Sequence, residues 1–165
     1  MGVYFGDARQ GAAAHLVNWQ GFSSNTRATL ATTSSSSSSR ETLWSVGNYN
    51  KLHSNSQLVF FGFVTGYGDR SGALKTHVKY GSSEYLWGWN YQYSNMNYLR
   101  HIGVHITLTN HTTTGNQLIQ LLYSGDGSSG ERPCTTFNPG NSDDDRIGSG
   151  GSYSRLTVFE ILPGG

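Results

Sequence analysis

The chain has 165 residues, 11 of them basic and 10 acidic, for a formal net charge of +1. That length suits one domain around a single core, and a surface this close to neutral excludes the electrostatic footprint of a nucleic-acid or anionic-lipid binder. With charged residues at 13% and 22 glycines, 10 tyrosines and 7 phenylalanines, turn formers and aromatics outweigh helix formers, so the fold expected is all-β.

Cys134 is the single cysteine. No intrachain disulfide is possible, which points to folding in a reducing cytoplasm. The thiol reads as a small buried side chain, because no basic cluster surrounds it to make it reactive. No apolar run reaches 18 residues, and Met1 is not followed by a charged n-region and an apolar h-region. Neither membrane insertion nor a signal peptide is expected.

In chain order, residues 1–24 stand outside the strand pattern that follows. With glycines at 2, 6, 11 and 21 they read as an N-terminal arm, and residues 25–165 as the sandwich domain. Trp19 and Phe22 are the arm's candidate docking anchors, either capping one end of the sandwich or lying on a neighbouring subunit. A strand signal begins at Arg27, and the serine run Ser34–Ser39 reads as a loop tip. Glu41–Gly47 is a short strand with Leu43 and Ser45 opposite Trp44 and Val46, followed by a loop to Ser56. Gln57–Gly68 is apolar on both faces and reads as a central strand. Ala73–Tyr80 alternates plainly, with Leu74, Thr76, Val78 and Tyr80 opposing Lys75, His77 and Lys79. The next segment carries Tyr85, Trp87, Trp89, Tyr91 and Tyr93 on one parity and reads as a strand plus a long surface loop.

In the stretch from Arg100 to Ser124, Ile102, Val104, Ile106 and Leu108 share one parity and His101, Gly103, His105 and Thr107 the other. Such period-two alternation predicts a half-buried strand. After a polar turn the chain returns with Ile119, Leu121 and Tyr123 on one face and Leu118 and Leu122 on the other. A strand apolar on both faces must cover both, so Leu118 and Leu122 are candidates for a subunit interface. A short strand near Cys134 to Phe137 and a last strand at Ser154–Leu162 complete about eight strands with turn-rich connections. The fold predicted is an antiparallel jelly-roll sandwich.

The order LVFFGFVTGYGD, HITLTNHTTTGNQLIQLLYS, FNPGNSDDD and SRLTVFEI resembles a module common in phage and marine viral structural proteins. That module is similar to the trimeric jelly roll of the complement globular head and tumour necrosis factor. The resemblance covers roughly Arg27 to Leu162, and the Leu–Thr–Val–x–Glu–Ile strand is its most specific part. It implies a homotrimer at the virion surface, partnered by a major capsid protein or other virion proteins. A capsid decoration (cement) protein is the first reading. The alternative is the receptor-binding tip of a tail fibre or spike that recognises a host surface glycan.

For chemistry, His101 and His105 share a strand face but stand about 13 Å apart along it, too far to hold one metal within a monomer. A histidine ring about a threefold axis is the functional reading, and polar outer-face residues the plain one. Asp143, Asp144 and Asp145 form the acidic cluster; without an EF-hand spacing they read as a solvated loop rather than a Ca²⁺ site. Tyr85, Trp87, Trp89 and Tyr91 are read as core and inter-subunit packing, as a stacking platform for sugar rings, or as a contact with another virion protein. No nucleophile elbow, well-spaced carboxylate pair or phosphate loop is present, so no catalytic residue, cofactor or enzymatic activity is expected.

Overall fold

The alternating segments form eight long antiparallel strands in a computed structural model, which describes residues 4–5, 14–30, 40–68, 72–92, 98–124, 136–140 and 152–163. In chain order these are β2 (Ala14–Ser24), β4 (Glu41–Lys51), β5 (Gln57–Gly68), β6 (Gly72–Tyr80), β7 (Ser83–Gln92), β8 (Tyr98–Leu108), β9 (Gly115–Ser124) and β11 (Ser154–Leu162). Three two-residue strands join them: β1 (Tyr4–Phe5), β3 (Ala28–Thr29) and β10 (Thr136–Phe137).

The long strands pair as one nested hairpin: β2 with β11, β4 with β9, β5 with β8 and β6 with β7. Folding that hairpin over brings β11 against β5 and β6 against β9. Sheet A therefore runs β2-β11-β5-β8 and sheet B runs β4-β9-β6-β7. First-with-last nesting across two sheets is the strand order of a jelly roll. The protein is an all-β sandwich of two antiparallel sheets.

One apolar core lies between the sheets. Sheet A supplies Leu58, Phe60, Val64, Ile102, Val104, Leu108, Leu156 and Val158; sheet B supplies Trp44, Tyr49, Val78, Tyr80, Ile119, Leu121 and Tyr123. The parity expected of β8 holds, with Ile102, Val104 and Leu108 buried, Ile106 packed against the core, and His101, Gly103, His105 and Thr107 facing out. β4 breaks its expected alternation: Leu43 and Trp44 are both buried, because the register against β9 shifts between Thr42 and Trp44. A bulge sets two residues against one, so neighbours in sequence can both turn inward. At Gly62 the backbones of β5 and β11 approach so closely that a Cβ would stand 2.1 Å from the Arg155 carbonyl oxygen.

The expected arm is only partly one. Ala14–Ser24 is β2, paired residue by residue with β11 from Ser24↔Ser154 to His15↔Leu162. Its inward Phe22 packs against the core, whereas Trp19 points outward and is 63% exposed. A boundary at residue 24 thus falls inside the sheet.

Two polar residues of the resemblance motifs tie the ends together. Glu160 is wholly buried on the inner face of β11. Its carboxylate accepts bonds from the Leu52 and His53 amides (2.9 and 2.8 Å) and from Ser56 Oγ (2.5 Å), fastening the β4–β5 turn. Asn138 follows β10 with φ 47°, a left-handed conformation that asparagine tolerates. Its side chain donates to the Ser24 carbonyl and accepts from Ser154 Oγ (2.9 and 2.7 Å), and its amide bonds the Thr65 carbonyl.

Candidate functional site

The two outer faces of the sandwich differ in how their exposed side chains are grouped. On sheet A, cross-strand registers place Trp19 beside Phe159 and Phe159 beside Val59; one row on, Gly21, Thr157, Phe61 and His105 line up. Phe61 is 59% exposed, Phe159 and Val59 are half-buried, and the band carries no charged side chain. Farther along the face Phe63 is better covered, edge-on to both His101 and Tyr153 (5.9 and 5.5 Å), with the Arg155 guanidinium over the Tyr153 ring. Large aromatics aligned across three adjacent strands make a continuous apolar surface rather than scattered exposed residues.

Sheet B faces water with a polar row beside isolated apolar positions, Leu86 and Leu118. Ser45, Gln120, Lys79 and Glu84 line up across its four strands. Glu84 pairs with Arg40 at 2.6 Å and with His77 Nδ1 at 3.2 Å. Burial and the Arg40 charge hold His77 below the usual imidazole range, against the pull of Glu84. Leu122, between Thr42 and His77 on this face, is already buried within the monomer, and Leu118 is 42% exposed. The uncovered aromatic band is thus on sheet A, and on the face behind β9 Leu122 is covered while Leu118 and Leu86, the latter 59% exposed beside His77, are not.

The open side of the sandwich, between β7 and β8, holds a small recess. The β6–β7 register shifts between Thr76 and His77, which leaves Trp87 unpaired in the ladder. Its indole N–H crosses to the Gly103 carbonyl on the free edge of β8, at 2.9 Å. A cavity of about 230 Å³ results, lined by Thr76, Trp87, Gly88, His101, Ile102, Gly103 and His105. His101 and His105 thus share this recess. His101 Nδ1 is 3.2 Å from Thr65 Oγ1, and the His105 ring meets Phe61 edge-on.

Tyr85 and Trp87 do not form an exposed stacking platform of the kind expected for the whole aromatic segment. Both pack against the core, and the Tyr85 hydroxyl lies 3.2 Å from His111 Nδ1. The side chains of Trp89 and Tyr91 lie outside the described residues, as do Tyr93, Cys134, the Ser34–Ser39 run and Asp143–Asp145. Among the described residues no group of three or more His, Cys, Asp or Glu side chains is placed to hold a metal ion.

One buried cluster escaped the sequence reading. Lys51, Tyr49, Tyr80, His111 and Glu160 meet at the β4–β5 end of the core. Lys51 Nζ donates to the His53 carbonyl, Tyr80 Oη to the Tyr49 carbonyl, and the Tyr80 and His111 rings lie 4.7 Å apart. Burial, and then the Glu160 charge, pushes the Tyr80 hydroxyl up to about 12 and the Tyr49 hydroxyl up as well. Burial and the Lys51 charge hold His111 below the usual imidazole range. A lysine, a glutamate and a histidine spaced this widely give no sequence signal.

Among the described residues the geometry is a two-sheet jelly-roll module with an exposed aromatic band on sheet A and a small recess at the β8 edge. No family model matches the chain, and no curated protein matches it. Among solved structures it is similar to three from infectious bursal disease virus. The T13 viral particle is 13% identical with a TM-score of 0.47, the derived T=1 particles 11% with 0.43, and the VP2 subviral particle 14% with 0.41. Each alignment covers 98% of this chain, which spans 44–46% of the length of those chains. At TM-scores below 0.5 these likenesses do not bear on what the chain does.

Proposed function

We propose that the protein is a non-enzymatic structural module that associates with copies of itself through the outer face of sheet A, as a homotrimeric component of a virion surface. Capsid decoration is the reading that the resemblance of its motifs favours. The observation that carries self-association is the aromatic band of Trp19, Phe159 and Phe61. Its two most exposed members stand 63% and 59% open to water in the monomer. A face of this kind, continuous over adjacent strands, is what obligate interfaces cover. Light scattering at micromolar concentration tests the reading, with an expected mass of three times the 18.0 kDa chain. A monomer at that concentration overturns it. Imaging of labelled particles distinguishes head from tail attachment.

The second reading, a fibre or spike tip that recognises a host surface glycan, is favoured by the recess between Trp87 and the two histidines. It requires no enzymatic step.

A further inference from the structure

The recess at the free edge of β8 is shaped by two glycines and a bulge. Gly103 stands between His101 and His105 on the outward parity, and a Cβ there would meet nothing within 4 Å. Open space is left where any other residue would place a side chain. Across the gap, a Cβ on Gly88 would come within 2.9 Å of Thr76 Oγ1, so that wall too depends on glycine. The bulge brings Trp87 to the rim, and its bond to the Gly103 carbonyl fixes the indole there.

Chemistry narrows what such a recess takes. Among the described residues that line it there is no lysine, arginine, aspartate or glutamate, so they offer no fixed charge to a phosphate, a carboxylate or a cation. The histidines are about 13 Å apart along the strand and cannot share one metal ion. Addition of an extended peptide to the β8 edge is interrupted at its centre, because Trp87 already occupies the Gly103 carbonyl. The volume of about 230 Å³ is smaller than the roughly 300–1,000 Å³ of pockets for drug-sized ligands, so it suits one ring and not an extended chain. A neutral ring with a C–H face and several hydroxyls matches one indole wall and two imidazoles.

We propose that this recess is a subsite for one neutral hexopyranose unit of a glycan, with Trp87 as the stacking wall and His101 and His105 as hydrogen-bonding walls. Because Nδ1 of His101 faces Thr65 Oγ1, its Nε2 is the nitrogen available to a sugar hydroxyl. The proposal rests on the glycan-recognition reading and, because His105 lies against Phe61 on the outer face of sheet A, requires that self-association leave the β8 edge open.

The test combines a glycan array with amide-resonance titration by the methyl glycosides of glucose, galactose, mannose and N-acetylglucosamine. Wild-type protein is expected to bind one or more neutral glycosides weakly, with shifts at Trp87, Gly103 and His105. Gly103→Val places a branched side chain in the recess, where its Cβ meets no neighbour within 4 Å, and is expected to abolish those shifts while the circular dichroism spectrum stays unchanged. His105→Ala, at an exposed position, removes one hydrogen-bonding wall and is expected to weaken binding about two- to tenfold. It also serves as the reporter if Gly103→Val fails to fold. If the array shows binding that both variants retain, the recess is not the site, although the recognition reading stands. If no neutral glycan or glycoside binds wild-type protein, both the subsite and that reading fall.

Discussion

The two outer faces of the sandwich are built on the same strand geometry and solve the problem of water differently. One outward row of sheet B is Ser45, Gln120, Lys79 and Glu84, with Glu84 paired to Arg40 and His77, and the next ends in a single exposed Leu86. Sheet A ends its rows in Trp19, Phe159, Val59 and Phe61. Both sheets share a single core, so the fold needs neither face to be apolar. The difference shows that the aromatic band is not a requirement of the sandwich itself. Under the proposed function it is the surface that self-association covers.

The largest effect that separates inside from outside comes from β8. Replacing Val104, which is 1% exposed, with Asp places an unpaired charge in the core. That penalty is comparable with a domain's whole stability of about 5–15 kcal/mol, so the variant is expected not to fold by circular dichroism. A variant that folds normally would invert the assignment of the two faces.

Deleting residues 1–24 comes next. The cut removes β2, the core contact of Phe22 and the Ser24 carbonyl that holds Asn138. Loss of a packed aromatic alone costs about 3–5 kcal/mol. Urea titration is expected to show a truncated protein that is severely destabilised or unfolded. Retention of wild-type stability would restore residues 14–24 to the role of a detachable arm.

A smaller loss, about 1–3 kcal/mol, is expected for Glu160→Gln, which replaces a buried carboxylate that accepts from two amides and a hydroxyl. Chemical denaturation measures it, and the loss is expected to leave the oligomer mass unchanged because Glu160 faces inward. Smallest is the effect of pH. His111 and His77 are both held below their ordinary range in the folded protein. The unfolded chain therefore binds protons more readily than the native one once pH falls below about 6.5. Stability is expected to be flat above that pH and to decline as it drops further. His111→Asn should flatten part of the slope, and a midpoint independent of pH between 7 and 5 would contradict both assignments.

Much of this architecture is legible in the residues. The period-two alternation of Ile102, Val104, Ile106 and Leu108 gives β8 and its inner face, and the unbroken apolar run of Gln57–Gly68 gives a central strand. Where the reading fails, the cause is non-local. Ala14–Ser24 carries no clean alternation, since its partner β11 lies more than a hundred residues away and supplies the pairing. Leu43 and Trp44 are both buried through a bulge that only the register against β9 reveals. On the outer face of the doubly apolar β9, Leu122 is covered within its own chain while Leu118 stays 42% exposed. That β5 has an outer apolar face is visible in the sequence. That this face stays uncovered is not, because it depends on which strands flank β5 and on what lies over them. The recess escapes for the same reason, as the unpaired position of Trp87 and the open space at Gly103 exist only once β7 and β8 stand side by side.

Phe61 on sheet A and Leu86 on sheet B are each 59% exposed, which makes them matched probes of the two outer faces. The decisive measurement is the mass by light scattering of Phe61→Asp and Leu86→Asp beside wild-type protein at one concentration. Wild type and Leu86→Asp are expected to be oligomers of equal mass, and Phe61→Asp a folded monomer of 18.0 kDa. Equal masses for all three proteins, or dissociation of the Leu86 variant alone, would contradict the assignment of sheet A as the assembly face.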